Sequence, residues 1–418
     1  MSSFNSNEKR LARLLSRYPF FKQGAKKAYQ YLNYFLYKKD YKFRSAYDLH
    51  EIPTEEETFF GYYDKSPLSA DQRYILFHQS AYPTRQRPPS GNDTAIQVCV
   101  WDLVEKRVIQ TRDTTAFNWQ QGARAQWLDS SRYIFNFFDG TFKAKIVDVN
   151  SGAEDVLPLP VYDVWKDEFA YTLNFRRLAT LRPDYGYRNL GLMDASEIAD
   201  LSSDGIYRVN LRTKANELII SLSDLAEFNT QPLMRKAEHK VNHLMIAPDG
   251  KHFMFLHRYI VAGRRFDRLV LADQGGRLLR VLADEEMVSH CCWMGNDRII
   301  GYLRHASKGD HYYLIDIHTG KITGVGEGVI NMFGDGHPSC QQGLMLFDTY
   351  PNKARMKELY TFDLKNGQLN KLGEFFEDLG YYGETRCDLH PRFSTNGEKI
   401  FFDSVHSHRR KLYWFNHT

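Results

Sequence analysis

Four histidines recur at the same point of a repeated sequence pattern. His243 lies in KVNHLMI, His290 in MVSHCCW, His337 in GDGHPSC and His390 in CDLHPRF. Each stands just before, or at the start of, a short strand-like segment. Imidazole nitrogens bind divalent metals and exchange protons near neutral pH, so four of them on one axis suit either chemistry. One such histidine is usually a hydrogen-bonded core residue, whereas four at equivalent positions indicate a functional cluster.

A cysteine near the last of these histidines extends the metal hypothesis. Cys387 and His390 form a C-x-x-H pair. Together with His290 and His337 they make a nitrogen and sulfur set that suits a tetrahedral ion such as zinc. The two adjacent thiols of MVSHCCW compete for the sulfur role, and the alternative is a buried thiol beside a structural histidine. We predict one divalent ion, zinc or manganese, at this site.

Arginines and tyrosines near the histidines favour an acidic substrate. RPDYGY, HRY and GETRCDLH supply the candidate substrate-binding residues Arg182, Tyr185, His257, Arg258 and Arg386. An arginine binds a carboxylate through two parallel hydrogen bonds, and a tyrosine of lowered pKa transfers a proton. Tyr187 is therefore the first catalytic candidate, followed by His243 and His78. The alternative for each residue alone is a stacked surface pair.

The elements that must position these residues repeat seven times after residue 50. A turn and a strand ending in aromatic residues begin at Pro67, Gln126, Val164, Ile246, Trp293, Pro338 and Pro391. A second strand pair with a hairpin turn follows most of them. The units are about 53 residues long, and apolar residues within them recur at every second position, as in β-strands. This pattern predicts an all-β fold, a seven-bladed β-propeller. The last unit stops short, so a segment near Glu51–Phe60 is expected to supply its outer strand.

One interval between repeats is longer than a blade needs. It runs from Val164 to Ile246 and contains NFRRLATLRPDYGYRNL and LMDASEIADLSSDG. Long insertions in such folds lie on one face and commonly carry function. We therefore expect RPDYGY to reach over the mouth of the central channel.

The first 50 residues form a separate basic arm. They contain eleven Lys/Arg and three acidic residues, whereas the remaining residues contain 44 and 48. We divide the chain into an arm, residues 1–50, and a propeller, residues 51–418. The spacing predicts a basic amphipathic helix within residues 9–44, and a shorter helix around Leu11, Leu14 and Leu15 before Pro19. The helix face consists of Ala25, Ala28, Tyr29, Leu32, Phe35 and Leu36.

Three partners fit this arm: an anionic membrane surface, the propeller itself and another protein. A basic amphipathic helix with interfacial aromatic residues binds anionic lipid. The propeller sequence carries no basic continuation of the arm, which argues against nucleic acid.

The sequence has no run of apolar residues long enough for a transmembrane helix, and no secretory signal. Its five cysteines do not indicate a disulfide framework. We expect a cytoplasmic protein that is either free or peripheral on the inner face of the membrane.

Several of these motifs resemble a known family. FFGYYDKSPLS, NWQQGARAQWL, NFRRLATLRPDYGY, VNHLMIAPDGKHFMFLHR, MVSHCCW, GDGHPS and RCDLHPRFSTNGEKIFFDSVH are similar to segments of bacterial propellers related to oligogalacturonate lyases and ulvan lyases. The resemblance spans about Thr58 to the C-terminus. It implies a seven-bladed propeller that cleaves uronate-containing polysaccharides by β-elimination, with a metal in the channel. It also implies metal roles for His337, His390 and Cys387, and a place for Tyr187 in the substrate cleft.

Three function classes follow. The first is a lyase-type enzyme acting on an acidic oligosaccharide or polymer. The second is a non-catalytic propeller that binds glycan or protein in surface polysaccharide biosynthesis, and a purely structural scaffold is the general default for this fold. No P-loop, dinucleotide-binding, nucleophile-elbow or zincin motif occurs in the sequence.

Overall fold

Seven antiparallel sheets succeed one another along the chain in the computed structural model, which describes residues 19–417, with backbone only for residues 19–27. From the third sheet to the seventh, the first strands of neighbouring sheets contact each other, and a strand of the last sheet contacts the first sheet, so the sheets form a ring. The chain is therefore a seven-bladed β-propeller, and the predicted fold class is confirmed. The second strand of each blade lies between two neighbouring blades, which explains why apolar runs such as YILF and FMFL are buried on both faces.

The strands of the first three blades follow chain order from the axis outwards. Blade 1 consists of β3 (Glu57–Phe59), β4 (Tyr74–Ser80), β5 (Ile96–Asp102) and β6 (Arg107–Thr114). Blade 2 consists of β7 (Gln126–Trp127), β8 (Arg132–Phe138), β9 (Phe142–Asp148) and β10 (Glu154–Leu157). Blade 3 consists of β11 (Asp163–Trp165), β12 (Phe169–Thr172), β13 (Gly205–Asn210) and β14 (Asn216–Ser221).

The other four blades begin in the same way, but each of the last two also contains a strand from the N-terminal segment that precedes blade 1. Blade 4 consists of β15 (Glu238–Ile246), β16 (His252–Val261), β17 (Arg264–Asp273) and β18 (Leu278–Ala283). Blade 5 consists of β19 (Val288–Met294), β20 (Arg298–His305), β21 (Gly309–Asp316) and β22 (Ile322–Gly324). Blade 6 consists of β23 (Ser339–Gln341), β24 (Leu344–Asp348), β25 (Met356–Asp363), β26 (Leu369–Phe376) and β1 (Phe43–Ser45). Blade 7 consists of β27 (Arg392–Phe393), β28 (Lys399–Ser404), β29 (Lys411–Asn416) and β2 (His50–Glu51).

The long insertion is helical and lies between the second and third strands of blade 3. It contains α2 (Phe175–Leu181), capped by the Asn174 side chain, and α3 (Ala195–Ala199). Arg177 of α2 is buried and forms an ion pair with Asp204, and it also donates hydrogen bonds to four backbone carbonyls. This arginine fixes the insertion against blade 4. A further helix, α4 (Leu222–Glu227), and a 3-10 turn (Pro232–Lys236) connect blade 3 to blade 4.

The N-terminal helix, α1 (Pro19–Tyr37), packs on the outer edge of blade 6. The Tyr34 ring lies 5.5 Å from the Phe376 ring, and the Lys42 ammonium lies 3.9 Å from the same ring. The predicted arm is thus helical from Pro19 to Tyr37 and then forms β1 and the start of β2, and the shorter helix predicted around Leu11 lies outside the described residues. Within residues 19–417, no helix has the length and hydropathy that crossing a bilayer requires.

Residues before the first repeat close the ring, as the truncated last unit predicted. His50 pairs with Trp414 and Glu51 with Tyr413, so β2 forms the outer strand of blade 7. β1 adds a fifth strand to blade 6, which the repeat pattern does not predict. The boundary drawn between residues 50 and 51 falls inside β2.

We expect these two short strands to matter for stability more than α1 does. Deleting residues 1–51 removes β1, β2 and the stacking of Tyr47 on Phe415, whose centroids lie 4.5 Å apart. We expect this deletion to lower the free energy of unfolding by about 3 kcal/mol, because an aromatic pair and several backbone hydrogen bonds are lost and two sheet edges are exposed. Deleting residues 1–38 should lower it by less than about 1 kcal/mol. Urea unfolding of both variants tests this, and equal losses would contradict it.

Candidate metal centre

The four recurring histidines lie side by side around the axis. The ring centroids of His243 and His290 are 5.8 Å apart, those of His290 and His337 4.1 Å, and those of His337 and His390 4.3 Å. All four side chains are buried. Equivalent positions in successive blades therefore do bring these residue types together.

Unusual backbone geometry aims two of these side chains. His243 has a φ of 54° and His390 a φ of 45°, which is the left-handed region that non-glycine residues avoid. His243 also lies within a register shift of β15, between Asn242 and Met245. Such conformations cost on the order of 1–3 kcal/mol each and persist where the surrounding structure holds them. Both outliers belong to the histidine cluster, His243 inside β15 and His390 two residues before β27.

His337 and His390 each present a bare nitrogen towards the other. The Nδ1 of His337 contacts the Asp348 carboxylate at 2.9 Å, and the Nδ1 of His390 contacts the Gly61 carbonyl at 2.7 Å. Both acceptors require a proton on Nδ1, so the neutral rings carry a lone pair on Nε2. Both Nε2 atoms are buried, and neither has a hydrogen-bond partner among the residues that the structure describes. An acceptor behind a histidine is the arrangement that orients metal ligands.

Asp388 completes a three-residue donor group with these histidines. One donor atom from each of His337, Asp388 and His390 lies within 4.8 Å of the others. Burial alone would raise the Asp388 pKa, but Arg386 and Lys357 outweigh it and hold that pKa well below its usual range. A buried carboxylate and two imidazole nitrogens fit a divalent ion such as manganese or zinc.

Cys387, expected as the sulfur ligand, lies elsewhere. Its side chain packs in an apolar cluster with Tyr381 and Val405, and burial raises the pKa of its thiol to about 12. A thiol must lose its proton to bind a metal, which this environment disfavours. The donor group therefore contains Asp388 where the sequence analysis expected Cys387.

His290, the fourth predicted ligand, lies beside the donor group. Its Nδ1 is 3.2 Å from the Asp335 carboxylate and 3.1 Å from the Ser289 hydroxyl. This contact leaves Nε2 as the free nitrogen, as in His337. His290 is thus placed to add a fourth ligand, although its atoms fall outside the three-residue group.

His243 forms a hydrogen-bonded pair with a tyrosine of the first blade. Its Nδ1 contacts the hydroxyl of Tyr62. Burial lowers the pKa of His243 well below its ordinary value, and the nearby Arg258 and His290 lower it further. Burial also raises the pKa of Tyr62. At neutral pH the imidazole is therefore a proton acceptor, and the tyrosine keeps its proton.

Arg386 connects the insertion to the donor group. It lies 2.5 Å from Asp184 and 2.6 Å from Asp388, and it donates a hydrogen bond to the Tyr185 hydroxyl at 3.3 Å. Tyr185 in turn packs edge-on against His243, with centroids 5.3 Å apart. Arg386 already serves two carboxylates, so its clearest role is to position Asp388 and the RPDYGY segment.

A group of cations lies next to His243 on blade 4. Lys240, Arg258 and Asp267 are neighbours across β15, β16 and β17. Asp267 lies 3.0 Å from both Arg258 and Arg265. Lys240 donates to a backbone carbonyl of α2, and burial together with the nearby Arg258 holds its pKa well below the usual value. Together with Arg182 at the end of α2, this group has more positive than negative charge and suits an anionic ligand.

Two predicted site residues lie away from this cluster. Tyr187 stacks on Phe175 at 4.2 Å and accepts a hydrogen bond from Asn136, and burial raises its pKa, so the hydroxyl is held in the core. His257 is buried against His239, with their nitrogens 2.9 Å apart. Tyr185 and Arg258, the neighbours of these two residues in sequence, are the ones that reach the site.

His78, the third catalytic candidate, is a core residue of blade 1. Its ring stacks on Phe59, and its Nε2 accepts a hydrogen bond from the Ala123 backbone at 3.0 Å. A Cβ on Gly122 would lie 2.2 Å from the ring, so this glycine is needed for the ring to fit. A ring locked in this way has no room to move towards a substrate.

The buried His78 should make stability depend on pH. Burial lowers the pKa of His78 from 6.5 to about 4. The unfolded chain therefore binds the proton more readily, and the free energy of unfolding should be highest above pH 6.5 and fall as the pH drops towards 4. His78 alone accounts for about 3 kcal/mol of this fall. Urea unfolding across this range should show a shallower fall in His78→Asn, and an unchanged slope would contradict the assignment.

The fold and this site together define a class: a seven-bladed propeller with histidines and carboxylates gathered on its axis. Among solved structures, the chain is similar to an oligogalacturonate lyase in complex with manganese, at 16% identity and a TM-score of 0.59, covering 91% of this chain and 95% of that one. It is also similar to an oligogalacturonate lyase from Vibrio parahaemolyticus, at 14% identity and a TM-score of 0.57, covering 91% and 98%. The resemblance seen in the motifs is thus confirmed at the level of the fold. No protein-family model and no curated protein matches the sequence.

Proposed function

We propose that this chain is a metal-assisted lyase that cleaves an acidic, uronate-containing glycan by β-elimination. The observation that carries the proposal is the pair of bare, buried Nε2 atoms of His337 and His390 beside the Asp388 carboxylate. A neutral, buried His243 lies two rings away, across His290. A metal-binding set next to a proton acceptor is what this elimination requires.

The reaction begins with removal of the C5 proton of a uronate, next to its carboxylate. A divalent ion held by His337, His390 and Asp388, with His290 alongside, would supply a Lewis acid that neutralises the carboxylate and stabilises the enolate charge. His390 and His337 keep their Nε2 lone pairs available because Gly61 and Asp348 hold the opposite nitrogens.

His243 is the group that takes the proton. When the Nδ1–H of His243 donates to the Tyr62 oxygen, the lone pair is on Nε2, 3.4 Å from the same oxygen, and this nitrogen accepts the C5 proton. The lowered pKa of His243 keeps the ring neutral before the reaction. Tyr62, whose pKa is raised, remains protonated and is suited to donate a hydrogen bond or a proton to the leaving oxygen.

The cations of blade 4 account for the preference for an acidic glycan. Arg265 of blade 4 and Arg182, at the end of α2 in the blade 3 insertion, are the outer members, with side chains 37% and 31% exposed, and Arg258 and Lys240 are buried. An Arg182 Nε without a hydrogen-bond partner in the described part of the chain points to an additional acceptor that a ligand provides. The carboxylates of neighbouring sugar units match this arrangement.

The test uses the purified protein loaded with manganese or zinc and a panel of uronate oligosaccharides, including oligogalacturonate. Elimination gives an unsaturated uronate that absorbs in the ultraviolet, and the masses of the two products sum to that of the substrate. Products whose masses include an added water would indicate hydrolysis and overturn the lyase proposal. Tight binding of a glycan without any product would favour the second candidate, a glycan-binding propeller in surface polysaccharide biosynthesis, which the cation group on blade 4 also supports.

A further inference from the structure

Helix α1 exposes a continuous apolar face to solvent. Tyr31, Leu32, Phe35 and Leu36 have relative exposures of 60%, 59%, 72% and 64%. Their spacing of one, three and four residues places them on the same side of the helix. Large side chains of this kind are usually covered in a folded protein, so a contiguous group of four indicates an interaction surface.

The helix is held so that this face points outwards. Asn33 is buried, and Tyr34 packs on Phe376 of blade 6. Tyr41, just after the helix, donates a hydrogen bond to Glu374 of the same blade. One side of α1 thus packs on the propeller, and the apolar face is on the opposite side of the helix. The remaining strongly exposed apolar residues of the propeller, among them Val104, Leu192 and Met332, are far apart in sequence.

The charged residues of α1 and those that directly follow it are mostly basic. α1 contains three lysines and no acidic residue, and exposed Lys38 and Lys39 follow it directly. Asp40 is the acidic residue nearest in sequence. A second copy of the chain on this face would bring like charges together, whereas an anionic surface would be attracted.

We propose that α1 docks the propeller on an anionic phospholipid bilayer. Leu32, Phe35 and Leu36 insert among the acyl chains near the headgroups, and Tyr31 lies at the interface. Lys38 and Lys39 contact the lipid phosphates. The helix lies parallel to the membrane plane, as amphipathic interfacial helices do, and blade 6 becomes the blade nearest the lipid. This docking is independent of the proposed lyase chemistry.

The test is co-sedimentation of the full chain with vesicles. Wild type should pellet with phosphatidylglycerol vesicles and remain in solution with pure phosphatidylcholine. The double variant Leu32→Glu and Phe35→Glu should bind about tenfold or more weakly, because two apolar side chains are withdrawn and two charges are repelled. A matched control, Val104→Glu with Leu192→Glu, changes two equally exposed apolar residues elsewhere and should bind like wild type.

Charge and self-association provide two further readouts. Lys38→Glu with Lys39→Glu should weaken binding, and salt near 1 M should weaken wild type in the same way because charges are then screened within about 3 Å. All variants should unfold at the wild-type temperature, since the changed residues are exposed. Equal pelleting of wild type and the Leu32/Phe35 variant would overturn the proposal. So would light scattering that shows a wild-type dimer which this variant dissociates, because the face would then bind a second copy.

Discussion

Replacing His337 or His390 by alanine is expected to remove the divalent ion from the purified protein. Wild type should carry about one ion per chain, as a single three- or four-ligand site does. Each variant removes one of the two bare Nε2 atoms and leaves two members of the three-residue donor group, too few to hold the ion against a chelator. Metal analysis of protein dialysed against a weak chelator measures this directly. Full occupancy in both variants would refute the site.

Two further variants separate ligands from neighbours. Cys387→Ala should keep the ion, because that thiol lies in the apolar cluster with Tyr381 and Val405. Asp348→Asn should weaken binding by about 10–100-fold, because the carboxylate that orients His337 becomes an amide. If the Cys387 variant loses the metal and the Asp348 variant retains it fully, the sequence-based prediction of Cys387 as a ligand would be supported instead.

Replacing His243 by glutamine is expected to lower turnover of a cleaved glycan by about 10²–10⁴-fold, the usual contribution of one general base. In the proposed mechanism the metal site and the cations of blade 4, and not His243, bind the substrate, so KM should change little. Tyr62→Phe should lower kcat as well, because the ring remains while its hydroxyl, bonded to the His243 Nδ1, is lost. Steady-state rates with ultraviolet detection give both quantities. Wild-type kcat in the His243 variant would remove it from the mechanism.

Tyr187→Phe is the control for that experiment. The Tyr187 hydroxyl is bonded to Asn136 in the core, so its loss should cost about 1 kcal/mol of stability and leave kcat unchanged. Arg258→Ala should raise KM more than it lowers kcat, because it removes a cation next to the ligand space. A large loss of kcat in Tyr187→Phe alone would contradict the placement of this residue.

The propeller was predictable because the strand pattern repeats in every blade and a histidine recurs in four of them. Alternating apolar residues and turns with glycine mark the strands, and a recurring histidine marks the same blade position four times. Closure by an N-terminal segment followed from the missing outer strand of the last unit. These features are local or periodic, so the sequence carries them directly.

Neighbouring residues were harder to distinguish. Asp388 takes the place expected for Cys387, and Tyr185 the place expected for Tyr187. Cys387 and Asp388 are adjacent, so a shift of one residue in an extended segment exchanges them, and spacing alone does not tell which side chain turns towards the axis. Tyr185 and Tyr187 lie in an irregular segment after α2, where no periodicity assigns their directions. The left-handed conformation of His390 settles the orientation near Asp388, and it depends on contacts with Gly61 that lie more than 300 residues away in sequence.

The pairing of β2 with β29 gives the chain an order of assembly. Blades 1 to 5 use strands that are adjacent in sequence and can form as they leave the ribosome. Residues 43–51 are made early, yet their partners in blades 6 and 7 are made last. The entropy of closing so long a loop grows only logarithmically with its length, but contacts this distant form slowly. The N-terminal strands β1 and β2 therefore pair with blades 6 and 7 after the other strands have formed. A circular permutant that starts at blade 6 would place β1 and β2 directly after blade 7 in sequence, so that β2 and β29 would become a local pair.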